Sequence, residues 1–187
     1  MKKIDNLTPK IIIQQKGKIS ALEIAKYLLS LDPKREYFTD EKMIKIEGNS
    51  VPISGNLRLN KLLQITQMLY AAKHGQYLFS EKMLAFEHGG IVYEVYRQFH
   101  FLVNPKNQVA IKSLTIYSKD FLTKIFNYFR TYSNQQLENF VHEDPAWFTI
   151  WNKENIKGNN EMPQSKEMIE YYQNFALHVA EAVERKN

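Results

Sequence analysis

LNKLLQITQMLYAAKHGQYLFSEKMLAFEHGGIVYEVYRQF, residues 59–99, decides how the chain is read. Leu62, Ile65, Leu69 and Ala72 recur at three–four–three spacing, with Leu59, Leu63 and Met68 widening the stripe. That spacing predicts an amphipathic helix from about Arg58 to Lys73, with Asn60, Gln64, Gln67 and His74 on its other side. Burying four or five such apolar side chains contributes about 1.5–3 kcal/mol each before entropy. Gly75 is the expected stop. A short extended piece and the pair Gly89-Gly90 follow, the glycines allowing a backbone path closed to other residues. Val92, Val95, Tyr96 and Phe99 then mark a second core helix.

Upstream, Thr8-Pro9 suits a helix start and Gly17 its end. Ser20 to Glu23 has capping-box form and opens ALEIAKYLLSL, with Ala21, Ala25, Leu28 and Leu29 along one side. Asp32-Pro33 ends that helix. KMIKI and VPI flank the turn residues Glu47-Gly48-Asn49-Ser50, so a small hairpin is expected, with Pro52 on an edge strand. Downstream, Asn104 to Asn107 reads as a turn, and residues 109–111 and 114–117 as short strands. Ser118 and Asp120 precede the aromatic helix FLTKIFNYF. Ser133 to Gln136 is a further capping box, and Asp144-Pro145 caps another short helix. Gly158 to Asn160 is a loop, after which Met168, Tyr172, Phe175, Val179 and Val183 share a face of the last helix. The fold class expected is mainly α: a single compact domain of six or seven helices with a few short β-strands.

Composition narrows the function classes. A chain of 187 residues suits one core, and 44% hydrophobic with 24% charged residues is ordinary for a folded domain. There is no cysteine, hence no disulfide, thiol nucleophile or thiolate metal site. No apolar run reaches membrane-span length, and the Ile11 to Ile13 run is short for a signal peptide, so a soluble, cytoplasmic protein is expected. The net charge of +5 divides as +3 over residues 1–55, +6 over 56–130 and −4 over 131–187. The basic 56–130 region raises nucleic-acid binding as an alternative, but its charges are scattered singly, as on a solvated surface.

Candidate chemistry is sparse. His142-Glu143-Asp144 suggests metal or acid–base work, yet a helical zinc site needs a second His at position 146, which is Ala. Asp144 reads better as a cap, with His142 and Glu143 tying two short helices together. Trp147 and Trp151, four apart, stack in a core or groove. Glu87-His88-Gly89-Gly90 leads into a helix but lacks phosphate-loop spacing, so a structural turn is expected. Neither an enzymatic nucleophile nor a cofactor motif emerges. Tyr93 and Arg97, at i and i+4 on the outer face, are residue types that dominate interfaces. They are the candidate partner-binding pair, with His88 and Glu87 beside them.

Four ordered pieces carry a resemblance: ALEIAKYLLS, residues 59–99, YSNQQLENFVHEDPAW and MPQSKEMIEYY. Together they resemble the SocA-like family, the phage-associated or GepA-like proteins that carry the Panacea domain. NKLLQITQMLYAA matches the family's second helix, FEHGGIVYEVYRQF its glycine turn and following helix, and Val141 to Trp147 its histidine–glutamate–tryptophan piece. Phe86 stands where the family has tryptophan, and Gly90 where it has proline. The resemblance divides the chain into an N-terminal extension (1–19) and a helical domain (20–187) with a hairpin-like insertion at about 37–56. It implies a non-enzymatic antitoxin that neutralises a toxin by direct contact, some members acting as adaptors that deliver the toxin to a protease. A phage or mobile-element protein that inhibits a host defence system is the alternative it leaves open.

Overall fold

Residues 59–72 have no solvent-facing side: each is buried, polar and apolar alike. They form the middle of a helix in the computed structural model of the protein, which describes residues 19–38, 43–52, 56–99, 114–152 and 160–186. The elements, in chain order, are α1 (Ala21–Ser30), β1 (Met43–Ile46), β2 (Asn49–Pro52), α2 (Asn56–His74), β3 (Leu84–Phe86), β4 (Gly89–Ile91), α3 (Tyr93–Gln98), α4 (Ile116–Phe129), α5 (Asn134–His142), α6 (Pro145–Trp151) and α7 (Lys166–Arg185). Among the described residues this is a mainly α single domain with two small antiparallel hairpins.

The outer polar face expected for α2 does not exist. Asn60, Gln64 and Gln67 are buried, and His74 is half-buried. A helix ~28 Å long is here packed by α7, β4, α5, α1 and α4 from different sides, which leaves no face for water. Buried polar groups persist when they are hydrogen-bonded, and Gln64 and Gln67 bind the surrounding chain. Gln67 Oε1 accepts from Leu78 N (3.0 Å) and Phe79 N (3.2 Å), while its Nε2 donates to Phe79 O at 2.9 Å. Lys61, Gln64 and Gln67 follow one another at three-residue steps, so they lie in one row along α2. Gly75, at φ +65°, closes the helix with its N–H on Ala71 O.

Local chemistry sets the other boundaries. Ser20 accepts from Glu23 N to start α1, and Ser133 and Gln136 form the complete capping box of α5. Glu47 and Gly48 both have positive φ, as a two-residue hairpin turn requires, and Asn49 and Ser50 belong to β2. One expected strand is a helix start instead. Thr115 accepts from Ser118 N and caps α4, so residues 116–117 are its first turn. A side chain that satisfies an orphan helical N–H outweighs the β preference of Ile116, which is left exposed. Along α7 the buried stripe is Met168, Tyr172, Ala176, Ala180 and Val183, with Phe175 and Val179 at its edge. The Thr8-Pro9 start, Gly17, the turn at 104–107, the strand at 109–111 and residues 158–159 of the late loop lie outside the described residues.

Candidate partner-binding face

The β3–β4 hairpin sits against α2 and α5 at unusually close range. A Cβ on Gly89 would lie 2.9 Å from Val141 Cγ2 and 3.0 Å from Gln64 Oε1. One on Gly90 would lie 2.7 Å from Met162 Sδ. Gly89 also has φ +118°, a conformation side-chain-bearing residues avoid. The glycine pair is therefore there for contact between backbone and α2, and the turn it closes is Glu87-His88. Neither edge of the hairpin is open. Ala85 N donates to Asn160 O at 2.8 Å on one side, and Gly90 N to Gln64 Oε1 at 2.6 Å on the other.

Gln64 continues from the hairpin to the α5–α6 junction. Its Nε2 donates to Val141 O (3.1 Å) and to Asp144 Oδ2 (2.8 Å). Asp144 Oδ1 caps α6 through Ala146 N (2.8 Å) and also accepts from the Tyr172 hydroxyl (3.0 Å). The cap read from the sequence is thus real, but it is also the buried meeting point of α2, α6 and α7. Burial pushes the Asp144 carboxyl above its ordinary range, and the bonds from Gln64, Ala146 and Tyr172 hold back only part of that rise. Burial also pushes the Tyr172 hydroxyl well up, with the Asp144 charge adding to it.

The turn is clamped from outside by the last residue of α5 and by α6. Trp147 Nε1–H donates to Phe86 O at 2.8 Å, and His142 Nε2 lies 3.0 Å from Glu87 O. Because a carbonyl only accepts, that His142 nitrogen carries the proton. The His142 and Trp147 rings stack 4.1 Å apart at 6°, and Trp151 extends the stack. Burial lowers His142, with Glu138 and the Glu87 carbonyl opposing. His142 therefore ties α5 to the hairpin turn, where the sequence had it joining two helices. Glu143 is exposed and its backbone closes α5.

Glu138 on α5 completes the underside. It takes the buried Lys61 ammonium at 3.0 Å and His88 Nδ1 at 3.3 Å. Burial raises its carboxyl, but Lys61 and His88 together outweigh that, and the net direction is down. Lys61 and Glu138 were not singled out in the sequence, while Gln64 was placed on the polar side of α2 and Tyr96 on the core stripe of α3. The three-residue spacing of Lys61, Gln64 and Gln67 was the available signal, and it reads equally well as a wet face.

Large apolar side chains remain exposed on this side, beside the charged Glu87 and Arg97. Phe86 and Tyr93 are 45% and 61% accessible, and Phe148 on α6 is 58%. A groove of about 230 Å³ runs between the hairpin turn, the start of α2 and α3, lined by Leu57, Phe86, Glu87, His88, Ile91 and Tyr96. Glu87 and His88 thus come together in the groove. Tyr93 and Arg97 lie exposed on α3 without lining it. Tyr96, assigned to the core stripe by spacing, is half-buried and forms part of the wall. Among the described residues no three His, Asp or Glu side chains converge as a metal site, and no helix is long and apolar enough to cross a membrane. Four lysines of the basic region are engaged: Lys61 with Glu138, Lys73 with Glu184, Lys82 with Glu161 and Lys124 with Asp120.

No curated protein and no solved structure matches the chain significantly. The family model of the antitoxin SocA-like Panacea domain matches residues 59–148. That span opens in α2 and closes in α6, so it takes in both halves of the clamp. Over this core the chain is similar to the antitoxin SocA-like Panacea domain.

Proposed function

We propose that the chain acts as an antitoxin by capturing a protein, its cognate toxin, on the face built by the β3–β4 turn and α3. The observation that supports this reading most is the coincidence of two motifs. FEHGG and HEDPAW, far apart in sequence, are locked together by backbone carbonyls of the turn, while Phe86 and Tyr93 stay exposed. A rigid turn presenting aromatic and charged side chains is well suited to protein contact. The groove, at about 230 Å³, is below the ~300–1,000 Å³ usual for small-molecule sites, and suits one anchoring side chain of a partner. Glu87, His88, Tyr93 and Arg97 are the contact residues in this reading, with Tyr96 and Phe86 added.

The test is co-expression with the toxin of a neighbouring reading frame, read as cell rescue and as co-purification. Rescue by the wild-type chain, weakened when Tyr93 and Arg97 are both changed to Ala, is the expected result. No rescue and no co-purified protein would end the proposal; rescue untouched by the double change would move the face elsewhere. Neutralisation by contact and delivery to a protease share this capture step, and the toxin's half-life in cells separates them.

A further inference from the structure

A second cavity, of about 380 Å³, lies away from this face, between the loop after α1, the start of α2 and the end of α4. Its volume falls within the ~300–1,000 Å³ range of small-ligand sites. Its residues from the 31–37 loop, and Arg58, precede the span that the family model matches.

The chemistry of its wall is cationic. Arg58 and Arg130 each lie over an aromatic ring of the lining, Arg58 over Tyr37 at 4.7 Å and Arg130 over Phe126 at 5.9 Å. Arg58 is further held by Asn134 Oδ1 at 2.6 Å, so its guanidinium is positioned before any ligand arrives. Lys34 stands exposed at the rim. Of the two acidic side chains in the wall, Asp32 is turned inward: Oδ1 accepts from Glu36 N, and Oδ2 from Tyr37 N and Phe38 N, all within 3.0 Å. Glu36 is the other, exposed at the surface. The loop is held in shape by Arg35, a non-glycine residue at φ +58°, whose guanidinium returns to the carbonyls of Leu29 and Asp32. Conformations of this kind persist where the surroundings over-determine them.

We propose that this pocket binds an oxyanion, a phosphate or carboxylate group, between Arg58 and Arg130. A guanidinium offers two parallel N–H donors matched to two oxygens of one such group. Stacking on Tyr37 and Phe126 limits the freedom that each guanidinium loses on binding.

The experiment is calorimetric titration of the full chain at low salt with pyrophosphate, with citrate and with a capped tetraglutamate peptide. Saturable binding of at least one, weakened roughly tenfold by Arg130→Gln as a charge-assisted pair is lost, is the expected result. Arg130 is exposed, so its variant keeps the fold; Arg58→Gln is the companion, read only where its melting curve matches wild type. Binding of the free anions alone assigns a small-molecule source, and binding of the peptide alone assigns an acidic segment of a protein. Absence of saturable binding with all three probes, or binding that Arg130→Gln leaves unchanged, overturns the proposal.

Discussion

Asp144→Asn tests the buried junction directly, because the substitution keeps shape and volume while changing one atom from acceptor to donor. Asp144 receives on both oxygens, from Gln64 Nε2 on Oδ2 and from Ala146 N and Tyr172 OH on Oδ1. An asparagine with its NH₂ toward Gln64 sets two donors against each other across 2.8 Å. The reverse orientation turns the NH₂ on Ala146 N and removes the cap. The first loses a charge-assisted hydrogen bond, about 1.5–3 kcal/mol; the second loses about 1 kcal/mol of capping and leaves a donor unmatched. Relief of the buried charge offsets part of this, so the net loss at pH 7 is about 2 kcal/mol, or ~4–8 °C in Tm for a chain of this length. Urea unfolding from pH 4 to pH 8 checks both size and sign. The folded-state carboxyl lies above its unfolded value of ~3.9, so its contribution is full below that value and is lost as pH rises through the folded one. The asparagine lacks this titration. The gap between the two proteins should therefore be widest near pH 4 and narrower at pH 7. An asparagine variant as stable as wild type at pH 7, or a gap that widens from pH 4 to pH 7, refutes the reasoning.

Gly89→Ala introduces a Cβ 2.9 Å from Val141 at φ +118°, and strain plus overpacking should destabilise by about 2–4 kcal/mol in denaturant melts. Glu138→Gln leaves Lys61 buried without its carboxylate. Since the Glu138 pKa is depressed by its partners, its stabilisation is present above the unfolded value of ~4.3 and lost as pH falls through the folded one, so the variant's deficit at pH 7 should close in acid. Trp147→Phe keeps the stack on His142 but loses the N–H to Phe86 O, about 1 kcal/mol of stability. Phe86→Ala should do the opposite, leaving stability within ~0.5 kcal/mol while weakening toxin capture by more than about 1 kcal/mol in a binding assay.

Local signals in this chain are legible. The stripe of α1, the caps Ser20, Ser133 and Asp144, and the stop at Gly75 each depend on neighbours within one or two helical turns. Where the outcome depends on distant chain, the reading fails. The burial of Asn60, Gln64 and Gln67 follows from what packs around α2, and Gln64's partners lie 26, 77 and 80 positions away. A glutamine on a helix has one appearance in sequence whether it faces water or a carboxylate. The site shows the same division. Glu87, His88, His142 and Trp147 were each singled out, but the contacts that unite them span 55 and 61 positions. Tyr96 was misplaced because α3 is short and enters from a hairpin, so its stripe is shared between core and groove.

The clamp divides labour within each residue of the turn. Phe86 and Glu87 give their carbonyls to Trp147 and His142, and their side chains to solvent and the groove. Backbone oxygens are present whatever the side chain, so residue type at these two positions is released from the task of holding the hairpin. The obligations fall instead on Gly89, Gly90, Gln64, Asp144, His142 and Trp147, whose atoms are matched to one another at contact distance. Phe86 illustrates the freedom: it occupies the place of a tryptophan in the pattern this chain resembles, while its carbonyl holds Trp147 regardless. A scaffold of this kind can exchange the displayed side chains without reworking the fixed network beneath. That is the physical requirement for one domain to meet different partners with one fold.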